Sequence, residues 1–170
     1  MSKRKVFYSF HYDQDVFRVQ QIRNMGIIDG NEPVDVNAWE DIKRRGDHSI
    51  QKWIDNEIAK SECVVVLIGS QTSNRRWVQY EIKQAWYQGK GLLGIYIHNL
   101  KDLRTGLSIK GQNPFSNLIT TINGRSINLA NIIHCYDPRP YDAYNDIRLN
   151  LASLVEDAIA YGYRSAGYKF

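Results

Sequence analysis

The run CVVVLIG, Cys63 to Gly69, is apolar at every position. A strand of that kind has no solvent face, so it belongs inside a parallel sheet covered by helices on both sides. A second covered strand follows in GLLGIYIH, Gly91 to His98. KVFYSF, Lys5 to Phe10, reads as the first strand and IIHCY, Ile132 to Tyr136, as the last. PVDVNAW, Pro33 to Trp39, alternates in the manner of a short strand, with Pro33 suited to its first residue or to a sheet edge.

Helical periodicity fills the gaps between these strands. Asp13 is placed to cap a helix carrying Val16, Phe17, Val19, Ile22 and Met25, which Gly26 ends. Ile50, Trp53, Ile54 and Ile58 fall on one helical face, entered near Asp47. In SNRRWVQYEIKQAWYQGK, Ser73 to Lys90, the buried face is Val78, Ile82, Ala85 and Trp86, and Glu81 stands at its edge one turn after Trp77. Ile147, Leu151, Leu154, Val155, Ala158 and Ile159 define a last helix. Strands alternating with helices of this length predict right-handed crossovers. The expected fold is α/β, a flavodoxin-like three-layer sandwich around a mostly parallel five-stranded sheet. Residues 1–170 are expected to form one domain, with a long polar insertion at about 99–131.

Composition narrows the class. The 170 residues are 43% hydrophobic, enough for one substantial core, and no apolar run approaches the roughly 20 residues of a membrane-spanning helix. The N-terminus lacks an apolar signal core, and Cys63 and Cys135 have no paired spacing, which together predict a cytoplasmic protein with reduced thiols. The net charge of +4 is spread along the chain among acids, so no nucleic-acid or membrane partner is expected. The phosphate-binding GxxxxGK[ST] loop, the GxGxxG turn and the nucleophile elbow are all missing. The four histidines lack metal-ligand spacing, so no metal is predicted.

In a doubly wound sheet the ligand crevice lies at the carboxyl ends of the strands. The residues expected there are Ser9, Phe10 and His11 after the first strand, Asn37 and Trp39 after the second, and Ser70 after the third, with Glu81 on the following helix. Each also has a plain structural reading: turn hydroxyls for Ser9 and Ser70, a surface histidine for His11, a half-buried rim residue for Trp39. A boundary glutamate is ordinarily a solvated one, because buried carboxylates need partners. Helix geometry leaves the role of Glu81 open.

VFYSFHYDQD followed by CVVVLIGSQTSNRRWVQYEI resembles the TIR domain pattern, in which the first strand ends in an aromatic-Ser-aromatic turn and W-x-x-x-E opens a helix after the central strand. The ordered set SFHYDQD, AWED, LIGSQTSNRRWVQYEI and GQNPF is more closely similar to the TIR-like subunit of Thoeris antiphage systems, over Lys5 to about Phe115. The resemblance implies cleavage of the nicotinamide–ribose bond of NAD, as substrate and with no cofactor, and production of a cyclic ADP-ribose-type signal. It implies a separate effector that reads the signal, an unknown phage trigger, and assembly into homo-oligomers. The family's catalytic glutamate matches Glu81. Ser9, Phe10, His11, Asn37, Trp39, Ser70 and Trp77 are then the substrate-binding candidates. Two other readings compete: a non-catalytic TIR-like assembly module using Trp39, Arg75 and Arg76, and an enzyme resembling nucleoside deoxyribosyltransferases. The segment 99–131 has no counterpart in ordinary TIR domains.

Overall fold

The computed structural model describes residues 3–30 and 36–166, with the backbone alone for 36–39 and 162–166. The central run forms β3 (Cys63–Ile68), buried at every residue. It pairs in parallel with β1 (Lys5–Ser9) on one side and β4 (Gly91–Tyr96) on the other. Short outer strands, β2 (Asp29–Gly30) and β7 (Cys135–Tyr136), complete the sheet in the order β2-β1-β3-β4-β7, every pairing parallel. The order reverses between β1 and β3, so the crevice falls at the carboxyl ends of those two strands.

Two helical layers cover the sheet. On one face, α1 (Tyr12–Asn24) and α5 (Ala143–Ala166) bring Val19, Ile22, Ile147, Leu151 and Val155 against Val65, Leu67, Leu93 and Ile95. On the other, α3 (Asp47–Ala59) and α4 (Arg76–Tyr87) bring Ile54, Ile58, Val78 and Ile82 against Phe7, Val64, Val66 and Ile68. Alternation along the strands sends their residues to the two cores by turns. Among the described residues no helix is long and apolar enough to cross a membrane. Cys63 and Cys135 are free thiols, the first buried.

The expected second strand is corrected. Residues 33–35 lie outside the described residues, but Val36–Arg44 is a helix, α2, and the sheet-edge strand is Asp29–Gly30. Alternation over so short a window competes with a helical signal that continues past it. Val36, Trp39 and Ile42 are three apart, Glu40 pairs with Lys43 at i,i+3, and Asp41 with Arg45 at i,i+4. Lys43 and Arg44 in the last turn also suit the helix dipole. Two boundaries move as well. His11, not Asp13, occupies the N-cap of α1, and the last strand begins only at Cys135 because Leu129–Asn131 form a 3-10 turn that swings Ile132 and Ile133 out of line.

The polar segment after β4 is ordered. Asp102 and Gly106 close a small bridged loop, Pro114–Asn117 make a 3-10 turn, and β5 (Ile119–Ile122) with β6 (Arg125–Asn128) forms an antiparallel hairpin. Asn123 and Gly124 both have positive φ at its tip, the requirement of a two-residue hairpin turn that an Asn-Gly pair meets with little strain. Phe115 drives the segment inward: it is fully buried in the α3–α4 core.

Candidate active site

Ser9 ends β1 on the face covered by α3 and α4, and it is completely buried. Glu81 lies on the second turn of α4, one turn after Trp77. The helix brings its carboxylate down to the end of β1, where the Ser9 hydroxyl donates a hydrogen bond to Glu81 Oε2. The residue as a whole is half-buried, yet protein atoms crowd the carboxylate. That desolvation pushes its pKa up to about 8, against the opposing pull of the Ser9 hydrogen bond. A carboxyl pushed upward in this way binds its proton more tightly than an exposed one, and a positive charge beside it would favour the ionised form.

Three segments lie at or beside the strand ends and helix that carry this contact. Trp77 is half-buried against the α3–α4 core, edge-on to Tyr80 at 5.8 Å, with the Arg76 guanidinium 4.6 Å from its ring centre. Tyr80 is held in turn by a 2.9 Å hydrogen bond to Asp55 of α3. His11 caps the start of α1, with Nδ1 buried and unpartnered among the described residues. Burial first, and then the Arg75 charge, hold its pKa below the usual value, with Asp13 opposing. Ser70 follows β3 in a turn whose Gly69 amide donates to Thr72 Oγ1 at 2.8 Å.

The GQNPF stretch, Gly111 to Phe115, is laid directly on that turn. Gly111 approaches the Gly69 carbonyl so closely that any Cβ would collide with it. Gln79 Nε2, on α4, donates to the carbonyls of Ser73 at 2.7 Å and Pro114 at 2.9 Å. Asn113 accepts from the Phe115 amide at 2.9 Å, fixing the bend. The turn after β3, the helix bearing Glu81 and the inserted segment are thus one hydrogen-bonded unit.

The structure brings Ser9, Glu81 and Trp77 into one neighbourhood on one face of the sheet. Phe10 turns the other way, half-buried against the α1–α5 core and tilted on Tyr12 at 6.1 Å. Asn37 and Trp39 open α2, and their side chains lie outside the described residues.

One buried constellation escaped the sequence reading. Asp15 and Arg18, at 0% and 1% exposure, form a 3.0 Å ion pair inside the α1 layer. Arg18 also donates to the carbonyls of Leu100 and Gly106, each at 2.9 Å, tying α1 to the loop after β4. Asp15 lies against Gly69, where a Cβ would meet its carboxylate. The signal was present: Asp15, Arg18, Val19 and Ile22 occur at i, i+3, i+4 and i+7, the spacing of the buried stripe.

Comparison with known proteins places this geometry. The chain is 42% identical over 124 residues to a protein of Bacillus cereus (strain MSX-D12) named "Putative cyclic ADP-D-ribose synthase ThsB1". The alignment covers 69% of this chain and 64% of that protein, so the chain spans less than two thirds of its curated relative's length. Residues 7–102, more than half of the chain and including both Ser9 and Glu81, match the family described as "Thoeris protein ThsB, TIR-like domain". With its parallel sheet and its Ser9–Glu81 contact at the carboxyl end of β1, the chain belongs to the ThsB TIR-like family of Thoeris proteins.

Proposed function

We propose that this protein cleaves the nicotinamide–ribose bond of NAD and closes the ADP-ribose into a cyclic signal. The observation that carries the reading is Glu81: a desolvated carboxylate, held by Ser9, in a chain of this family. The name of its relative, "Putative cyclic ADP-D-ribose synthase ThsB1", supports the same reading.

Nicotinamide is a cation while attached to ribose and leaves as a neutral molecule, taking the bonding pair of the C–N bond. It needs no general acid. The transition state places positive charge on the ribose, and a carboxylate beside it stabilises that charge most where water is scarce. Substrate and transition state both favour ionised Glu81, lowering its pKa from the resting value. Ser9 orients the carboxylate. Trp77 supplies a wall, while His11 and Ser70 offer polar groups to ribose or amide. Capture by a nitrogen or hydroxyl of the same ADP-ribose gives a ring, the hydroxyl losing its proton; capture by water gives ADP-ribose. Excluding water decides between them. The chemistry calls for no metal or organic cofactor. The product acts on a separate effector, and assembly of like chains in response to a phage component switches synthesis on.

The test is incubation of the purified protein with NAD, with and without a crowding agent, beside Glu81→Gln. Glu81-dependent nicotinamide release with a cyclic product mass is expected. Equal turnover by the variant would overturn the role of Glu81. No release by either, including in extracts of infected cells, would identify an assembly module instead.

A further inference from the structure

The outer edge of β4 is paired by β7 only at Gly94 and Ile95. Gly94 N–H donates to the His134 carbonyl at 2.9 Å on that edge. Backbone groups alternate between the two edges of a strand, so Leu92 presents its N–H and C=O to the same side as Gly94. There β7 has not begun, and among the described residues no backbone hydrogen bond reaches Leu92 from that side. Leu92 is nevertheless only 5% exposed. The donor and acceptor face the space beyond that edge side by side, available to a ligand there.

They open onto a notch of about 300 Å³ walled by Leu92, Leu93, Ile132, Leu154, Ala158 and Tyr161, with Asp157 and His134 completing its lining. The site is separate from Glu81. Ser9 is level with Val66, and Val66 with Gly94, which puts Leu92 two residues back, two strands away, and facing the far edge.

The length of the open edge selects the ligand. Gly94 is already bonded, and at the other end Gly91 packs so tightly on α5 that a Cβ would lie 2.9 Å from the Ala158 carbonyl carbon. An added peptide strand needs several alternate residues to pair with, and here there is one. A single residue's N–H and C=O, side by side, match a flat ring that carries an acceptor nitrogen next to an N–H donor. The volume is at the low end for ligand pockets, room for a base and too little for a dinucleotide. We propose that this notch binds a planar heteroaromatic ligand of the aminopyrimidine type, as on the amino edge of adenine, with Leu92 making the paired hydrogen bonds and the apolar walls holding the ring.

The experiment is a titration of the isotopically labelled full chain with adenosine, following the amide resonances, beside the dimethylamino analogue that keeps the ring and loses the donor. A saturable shift at Leu92 and its neighbours is expected, at least about tenfold weaker with the analogue because the Leu92 carbonyl is left unpaired. The shift should persist in Glu81→Gln and vanish in Leu154→Trp, which fills the notch. An unmoved Leu92 amide up to the solubility of adenosine, equal binding of the analogue, or shifts confined to Ser9 and Glu81 would each overturn the proposal. Both ligands are read on the unmodified chain, so a misfolded Leu154→Trp leaves the test intact.

Discussion

Replacing Glu81 by Gln should stabilise the protein at alkaline pH while abolishing the proposed turnover. The carboxyl's pKa rises from 4.5 to about 8 on folding, so the folded chain holds that proton some three thousandfold more tightly, which at about 1.4 kcal/mol per tenfold is about 5 kcal/mol. Solvent access at a half-buried residue trims the figure to about 2–4 kcal/mol. The sign follows from linkage. Below the unfolded value both states are protonated and Glu81 contributes nothing; between the two values the unfolded chain ionises first and stability falls as pH rises; above about 8 the loss is complete. Gln cannot ionise and keeps a hydrogen-bonding partner for Ser9. Urea denaturation of both proteins from about pH 4.5 to about pH 9 isolates the effect, because every other group titrates in both. The variant's advantage should start near zero and reach about 2–4 kcal/mol at the alkaline end. A flat or falling difference would refute the burial argument.

Other perturbations follow from the same contacts. Ser9→Ala removes the hydrogen bond that holds the Glu81 pKa down, so if the proposed NAD cleavage requires ionised Glu81, the rising limb of its kcat/KM against pH should move to higher pH. Phe115→Ala should lower unfolding free energy by about 3–5 kcal/mol in urea, since the ring is fully buried. Arg18→Met leaves Asp15 buried and unpaired and should cost about 3–5 kcal/mol, with a Leu at Asp15 in the same chain recovering much of it. Full additivity of those two changes, read by thermal or urea melts, would show that the pair is not coupled.

The sheet was legible where one period dominated. Cys63–Ile68 and Gly91–Tyr96 are apolar throughout, and their shortness, bounded by Gly or polar residues, suits covered strands better than helices. Alternation of Val34, Val36 and Ala38 points to a strand, but the charged i,i+3 and i,i+4 pairs that follow favour the helix that begins at Val36. The polarity of Asp15 and Arg18 points to exposure, yet both are buried. Their burial depends on the Leu100 and Gly106 carbonyls, which lie more than eighty residues on. Phe17, one of the apolar positions of the first helix, is 45% exposed beneath the Arg104 guanidinium. One apolar residue on a helix says little about which of two neighbouring stripes faces inward.

The residues that carry the family resemblance divide by what they do, and the division explains why the site was only half readable. W-x-x-x-E sets a helical spacing that puts Trp77 and Glu81 on one flank, and that much is local. What makes Glu81 unlike a surface glutamate is supplied by Ser9, 72 positions earlier, and by the crowding at the end of β1. GQNPF contributes no ionisable group at all. Its glycine permits close approach to Gly69, its asparagine sets the bend, its proline carbonyl takes the Gln79 amide, and its phenylalanine fills the core beneath. This stretch fastens α4 to the turn after β3 and thereby fixes the height at which Glu81 meets Ser9. A carboxylate whose pKa depends on a contact this close needs such a fastener: displacement of α4 by about an ångström would admit water, and hydration would return Glu81 to an ordinary acid.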